Sequence, residues 1–278
     1  MDRLEALELI VGQAARGELI FPTNVAASIR LQHAVADPAC HLEAAADLVM
    51  AEPLVAARLV AIANSVAYTR FGGKVSNVRT AVRLLGFNAL RSLVAAIVVR
   101  QFSGAISDPS LRAQAELLWQ HCANVAALAK VLARELTEVD PETALFAGIV
   151  HDISGFYLLF RAQELPVLLE NAADESGAES CLLLTHGVMQ VLKIPKPVAL
   201  AVESLCNGGC ASPPTTLGDV LALANELASI PSPLAGIDPR ARIPSTANLD
   251  SPAGDKTLRM VLTESEGEIK AMLEALLI

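Results

Sequence analysis

The sequence contains few aromatic and few charged residues, and it almost lacks the alternating β-branched pattern of strands. Aromatic residues make up 4% of the 278 positions and charged residues 18%, whereas 53% are hydrophobic. A chain this apolar can bury a sizeable core without disulfides. Alanine and leucine, which are strong helix formers, dominate its composition. We therefore predict an all-α protein built from many helices.

Long hydrophobic runs are also absent. The longest uninterrupted apolar run, Leu93–Val99, lies between Arg91 and Arg100. A membrane span needs about 20 apolar residues, so this run is predicted to be a buried helical segment. The first residues, Met1–Glu5, alternate charged and apolar side chains and lack the apolar core of a secretion signal. We expect a cytoplasmic protein that does not contact a membrane.

Positive charge is scarce relative to negative charge. Lysine and arginine together number 21 against 30 aspartates and glutamates, which gives a net charge of -9. Nucleic-acid-binding proteins usually present a basic face, so we expect no nucleic-acid partner. Arg79, Arg83 and Arg91 surround Gly86 and could suggest a DNA-reading helix-turn-helix. The reading helix must be exposed, whereas the run Leu93–Val99 predicts a buried one.

The cysteines do not form a recognisable site. There are five of them, an odd number, and they are scattered along the chain. Cys206 and Cys210 have no second Cys or His pair at the spacing of a zinc site. We interpret the cysteines as reduced thiols, most of them buried.

The stretch Gly104–Pro109 is the clearest internal boundary, because it is rich in glycine, serine, aspartate and proline. It divides the chain into an N-terminal helical subdomain, residues 1–106, and a second helical subdomain, residues 107–278. Gly86 is predicted to separate two helices of the first subdomain. In the second, Ile230–Lys256 is predicted to be a long polar loop before an amphipathic C-terminal helix.

Two helices of the second subdomain carry side chains suited to metal binding. His121 lies on the same helical face as the apolar residues four, seven and eleven positions later, so it points inward. His151 and Asp152 follow at the end of a helix that begins at Asp140. Three residues of that helix are small and allow another helix to approach closely: Ala144, Ala147 and Gly148. Two imidazoles and a carboxylate can therefore meet at one point, which is a plausible ligand set for a divalent metal.

A structural interpretation of the same residues stays open. An inward histidine is usually a hydrogen-bonded core residue, since buried polar groups need partners. Asp152 could simply accept a hydrogen bond from His151, His121 or a nearby backbone group. His186 is a possible fourth ligand, but it lies in an otherwise apolar helix and we favour a structural role for it.

The spacing of these residues resembles the H…HD pattern of the HD superfamily of metal-dependent phosphohydrolases. A helix beginning at Asp219 is similar to the later helix of that superfamily, where an aspartate supplies the last ligand; here that position is Asn225. The lysine that follows the family's His-Asp-Ile-Gly is also missing. A neutral amide oxygen binds a hard cation more weakly than a carboxylate does. The vestigial pocket implied by the resemblance comprises His121, His151, Asp152 and Asn225.

The first subdomain makes the resemblance more specific. Four of its stretches are similar to the HDOD family, whose members are degenerate relatives of the HD superfamily: Phe21–Thr23, Glu52–Leu59, Ala63–Tyr68 and Val78–Gly86. The resemblance covers about residues 17–230 and implies a helical, cytoplasmic, bacterial regulator. Asn64, Ser65 and Tyr68 belong to one of these stretches and could line a groove. For Asn64 and Ser65 we favour a structural role at a helix end.

The resemblance and the incomplete ligand set together predict a non-catalytic signal-transduction module. Such a module would bind a protein partner or a small ligand through a helical groove or through the vestigial pocket. We expect no cofactor and no metal, although His121, His151 and Asp152 could hold a divalent ion weakly. The alternative is a residual metal-dependent phosphohydrolase acting on a nucleotide or a cyclic dinucleotide.

Overall fold

The computed structural model describes residues 1–21, 26–51, 53–64, 75–170, 176–205, 211, 213–234, 237, 252–253 and 256–277. Most of this backbone is helical, which confirms the all-α prediction. The helices in chain order are α1 (Arg3–Ala15), α2 (Ala26–Ala36), α3 (Leu42–Met50), α4 (Pro53–Ala63), α5 (Val78–Gly104), α6 (Pro109–Leu136), α7 (Pro141–Val150), α8 (Ile153–Arg161), α9 (Ser176–Val191), α10 (Lys196–Ser204), α11 (Leu217–Leu227) and α12 (Leu258–Leu277). A 3-10 turn spans Pro166–Leu169, and the two-residue strands Pro252–Ala253 and Lys256–Thr257 pair antiparallel.

Two Asp-Pro pairs start the helices that matter most for the site. Asp108 caps α6 by accepting hydrogen bonds from the backbone of Ser110 and Leu111, at 2.8 and 2.9 Å. Asp140 caps α7 by accepting from the backbone of Thr143 at 2.9 Å. Proline follows both aspartates, where its missing N–H removes no helical hydrogen bond. The helix start predicted at Asp140 is therefore confirmed.

Helix α5 consists of two helical segments that meet at Gly86. Gly86 has φ 77° and ψ 176°, a backbone conformation that side chains with a β-carbon rarely adopt. The predicted separation of two helices at this residue is confirmed. The run Leu93–Val99 in the second segment is buried, also as predicted.

Two stretches of the described residues, Val78–Gly104 and Pro141–Arg161, are long and apolar enough to cross a membrane by length and composition alone. Most of each test window is packed inside the protein, 67% and 89% respectively. Core helices of the same length pass the same test, so this is weak evidence for a membrane span.

The buried hydrophobic residues form two clusters. The larger one surrounds α6 and includes residues of α1, α7, α8, α9 and α11. The smaller one is built from α2, α3, α4 and the part of α5 from Ala81 to Ile97. Helix α12 joins both, because Met272 and Leu276 pack in the larger cluster and Ala275 packs in the smaller one. The predicted division of the chain after residue 106 stays a prediction.

Helices α6 and α7 pack with their backbones in direct contact. A β-carbon placed on Gly148 would overlap the backbone of Ala126 and lie 2.7 Å from its nitrogen. Real β-carbons are not found so close to another backbone. Glycine at position 148 is therefore required for α7 to lie directly against α6, as the small residues of this helix predicted.

Substitution of this glycine tests the packing. We expect Gly148→Ala to lower the free energy of unfolding by about 2 kcal/mol or more, because the added methyl group must push two helices apart. Gly267→Ala is a matched control, since Gly267 lies in α12 and a methyl group added to it would have no described atom within 4 Å. We expect Gly267→Ala to raise the free energy of unfolding by about 0.5–1 kcal/mol, because alanine is favoured over glycine inside a helix. Equal effects of both changes in urea unfolding would contradict this account.

Helix α11 begins with a capping box that involves Asp219. The Asp219 carboxylate accepts hydrogen bonds from the backbone of Ala211 at 3.0 Å and Thr216 at 2.9 Å, and from the Thr216 hydroxyl. Burial opposes ionisation of this carboxyl, but the hydrogen bonds prevail and lower its pKa to about 2. The ionised form of Asp219 therefore stabilises the start of α11.

This stabilisation should depend on pH. Because the folded-state pKa is depressed, the contribution is complete above the unfolded value of 3.8 and is lost as pH falls through about 2. We expect Asp219→Asn to cost about 1 kcal/mol at neutral pH, since it weakens a helix cap. The difference in unfolding free energy between wild type and variant should shrink between pH 4 and 2. A difference that does not change with pH would exclude the ionised carboxylate as the cause.

Candidate functional site

The structure brings His121, His151 and Asp152 together inside the larger cluster. His121 comes from the middle of α6, His151 follows the last residue of α7, and Asp152 precedes α8. Their exposed fractions are only 3%, 2% and 5%. One potential ligand atom from each residue lies within 4.8 Å of the others, and the described residues contain no other such group of His, Cys, Asp or Glu.

The two imidazoles face each other through the same type of nitrogen. The Nε2 atoms of His121 and His151 are 3.2 Å apart. Oδ2 of Asp152 lies 3.9 Å from Nε2 of His121 and 3.6 Å from Nε2 of His151. The three atoms thus form a triangle whose edges have similar lengths.

The opposite side of each imidazole is fixed by the backbone. Nδ1 of His121 lies 2.7 Å from the carbonyl oxygen of Ile230, and Nδ1 of His151 lies 2.8 Å from that of Gly148. A carbonyl oxygen can only accept, so both Nδ1 atoms carry hydrogen and donate. With hydrogen on Nδ1, each neutral imidazole has a lone pair on Nε2. This is a tautomer that metal-binding histidines adopt. Both Nε2 atoms are directed at one point.

The geometry is compatible with a divalent ion. Ligands bound to zinc at about 2.0–2.1 Å in tetrahedral geometry are about 3.3–3.4 Å apart, close to the separation of the two Nε2 atoms. Two imidazoles and a carboxylate are also chemically suited to such an ion. His121, His151 and Asp152 would hold it, and a bound ion would supply Lewis acidity or an activated water.

The segment after α11 completes this site, and the sequence did not predict that. The Ser232 hydroxyl donates to Oδ2 of Asp152 at 3.3 Å, and Ile230 supplies the carbonyl oxygen for His121. Leu234 is fully buried and packs over Gly155, where a β-carbon would lie 2.5 Å from the leucine side chain. Residues 230–234 form a loop, as predicted, but Ser232 and Leu234 are buried in it, which the prediction of a polar loop did not anticipate.

Two other candidate residues lie on α11 and α9. Asn225 is half-buried on α11, and its backbone carbonyl oxygen accepts a hydrogen bond from the backbone N–H of Ala228. His186 lies on α9 with its side chain 53% exposed, and its Nδ1 is 2.7 Å from Oε1 of Glu203. His186 is therefore outside the buried group, and the possibility that it is a fourth ligand is excluded.

Cys122 is next to His121 in sequence and is fully buried. Burial, together with the nearby negative charge of Asp152, raises the pKa of its thiol well above the ordinary value. The protonated thiol is a poor metal ligand, because binding requires the thiolate. Cys40, Cys122 and Cys181 are free thiols, as predicted, whereas Cys206 and Cys210 lie outside the described residues.

Asn64 connects the end of α4 to the chain that follows. Its Nδ2 donates to the carbonyl oxygens of Val60 at 2.8 Å and Val75 at 2.7 Å, and its Oδ1 accepts from the backbone of Val75 at 2.8 Å. The structural role favoured for Asn64 is thus observed. Ser65 and Tyr68, the other candidates for a groove, lie outside the described residues.

Removal of one imidazole tests the importance of this site for stability. We expect His121→Ala to lower the free energy of unfolding by about 1–3 kcal/mol, because it removes the group that contacts Nε2 of His151 and bonds to the Ile230 carbonyl oxygen. His186→Ala removes an exposed imidazole and should change stability by less than about 0.5 kcal/mol. If chemical unfolding shows equal effects, the buried group does not contribute to stability as described.

The fold and this site define a helical protein of the HD type. A model of the HDOD domain matches residues 21–190. The chain belongs to the HDOD family, as the sequence resemblance predicted.

Solved structures share the fold. A protein provisionally named a phosphohydrolase from Shewanella amazonensis SB2B is 21% identical with a TM-score of 0.61, and the match covers 96% of this chain and 98% of that one. An HDOD domain protein with unknown function from Geobacter sulfurreducens is 16% identical with a TM-score of 0.56, covering 97% and 98%. One provisionally named a signal transduction protein from Marinobacter aquaeolei VT8 is 18% identical with a TM-score of 0.55, covering 99% and 66%. A search of curated proteins found no match.

Proposed function

We propose that this HDOD protein is a non-catalytic signal-transduction module that binds a protein partner or a small ligand. The observation that carries the proposal is the closure of the His121, His151 and Asp152 site. These residues are 2–5% exposed, and residues 230–234 lie against them. Phosphoester hydrolysis at a metal requires the ion, a water molecule and a phosphoryl group to meet. A substrate could reach this site only if the covering segment moved away.

The chemistry of the ligand set supports the same proposal. The described residues supply only one carboxylate to the group, and position 225 carries an amide. Each ligand of the group is instead hydrogen-bonded to the protein, through Ile230, Gly148 or Ser232. The buried group thus connects α6, α7 and the segment after α11, which is a structural use of residues suited to metal binding.

The alternative, a residual metal-dependent phosphohydrolase, is favoured by one observation. Both Nε2 atoms are held as acceptors facing one point at 3.2 Å, as expected of ligands to an ion. This arrangement would allow a single divalent ion to bind at the site. Whether the protein with such an ion hydrolyses a phosphoester can be measured directly.

Hydrolysis assays distinguish the two functions. Purified protein would be supplied with Mn²⁺ or Mg²⁺ and tested on AMP and on a cyclic dinucleotide, beside His151→Ala and the control variant His186→Ala. We expect wild type to hydrolyse neither substrate faster than His151→Ala, because the buried group is closed to substrate. A wild-type rate more than about tenfold above that of His151→Ala, and retained in His186→Ala, would establish the phosphohydrolase instead.

A further inference from the structure

A pocket of about 310 Å³ lies where α4, α5 and α6 meet, away from the histidines. This volume is at the lower end of the range for small-molecule sites. Six polar side chains line most of it: Arg58, Arg100, Gln101, Ser103, Arg112 and Glu116. Helix α4 belongs to the smaller hydrophobic cluster and α6 to the larger one, so the pocket lies between the two cores.

The pocket concentrates positive charge in an acidic protein. Among the described residues, its lining holds three guanidinium groups and one carboxylate, whereas the whole chain carries a net charge of -9. Burial, and repulsion from Arg100, lower the pKa of Arg58. Like charges held near each other in a partly buried place favour the binding of an anion.

The positions of two arginines are fixed by neighbouring groups. Arg112 donates from Nε and Nη2 to the carbonyl oxygen of Ile106, at 2.8 and 2.6 Å. Arg100 pairs with Glu116 at 2.6 Å, and its guanidinium carbon lies 5.8 Å from the centre of the Trp119 ring. These contacts hold the guanidinium groups at the pocket while leaving further N–H donors on each group.

Two residues that line the pocket carry buried polar atoms for which the described part of the chain offers no hydrogen-bond partner. The Ser103 hydroxyl is one, on a residue only 7% exposed, and Oε1 of Gln101 is another. Nε2 of Gln101 donates to the Ser28 hydroxyl at 2.8 Å, which fixes the amide. Leaving buried polar atoms unpaired costs stability, so either atom would gain from a hydrogen bond to a ligand that reaches it. The hydroxyl can donate to an anion, and Oε1 can accept from a ligand hydroxyl.

We propose that this pocket binds a small phosphate ester that carries hydroxyl groups. Arginines bind phosphate oxygens through paired N–H donors, and the Ser103 hydroxyl adds a donor. Gln101 would accept a hydrogen bond from the organic part of the ligand. This inference rests on the proposed signalling function, because the ligand would connect Arg58 of α4 with Arg112 of α6 and thereby the two cores.

The protein contains a natural reporter for this pocket. Trp119 is the single tryptophan of the chain and lies beside Arg100. We expect glycerol phosphate to change Trp119 emission saturably, because the phosphate competes with Glu116 and the indole ring for Arg100. Glycerol should have no effect. Calorimetry with AMP and with adenosine repeats the comparison on a larger ester, and inorganic phosphate shows whether the organic part contributes to affinity.

Substitutions test whether glycerol phosphate binds at this pocket. Arg58→Gln should weaken binding of glycerol phosphate at least about tenfold, since it removes a charged hydrogen-bond donor. Glu116→Gln should strengthen it several-fold, because the competing carboxylate is lost. Arg16→Gln is the matched control: Arg16 is exposed and paired with Glu18, and its loss changes net charge equally. Arg112→Gln replaces Arg58→Gln if circular dichroism shows that the latter does not fold.

Two results would overturn the assignment. One is the absence of saturable binding of either ester up to about 10 mM, well above a millimolar Kd. The other is equal weakening by Arg58→Gln and Arg16→Gln, which would indicate nonspecific attraction. Neither result bears on hydrolysis, because the pocket variants leave His121, His151 and Asp152 intact. Conversely, hydrolysis that depends on His151 would overturn the proposed function without removing phosphate binding at this pocket.

Discussion

The structure depends on the direct backbone contact between α6 and α7. Gly148 lies so close to Ala126 that no side chain fits between the helices, and His151 follows one turn later. The position of His151 relative to His121 is therefore determined by the absence of a β-carbon at residue 148. The buried residues of α1, α8 and α11 belong to the same hydrophobic cluster as this pair of helices. Small residues, rather than the histidines themselves, fix the dimensions of the buried site.

This dependence explains how a site can keep its geometry while its chemistry changes. The backbone carbonyls of Ile230 and Gly148 orient the imidazoles, and neither bond requires an ion. An amide instead of a carboxylate at position 225 would leave these contacts in place. If the site does not catalyse hydrolysis, as proposed, only the wider ligand set and the access of substrate would distinguish it from an active one.

The sequence predicted those features that depend on neighbouring residues or on helical periodicity. The Asp140-Pro141 start, the break at Gly86 and the inward position of His121 are all of this kind, and all three are observed. The covering role of Ser232 was missed because it joins residues 80 positions apart, and a Pro-Ser-Pro segment is locally typical of a loop. The polar pocket was missed for a similar reason: Arg58, Arg100 and Arg112 are far apart in sequence and show no periodic relation.

Helix α12 has a consequence for the order in which the protein can form. The last turn of α12 contributes Ala275 to the smaller cluster and Leu276 to the larger one. Synthesis delivers most residues of the smaller core long before those of α12. Neither core is complete until α12 has packed against it, so a chain on which α12 has not yet packed exposes apolar surface of both cores.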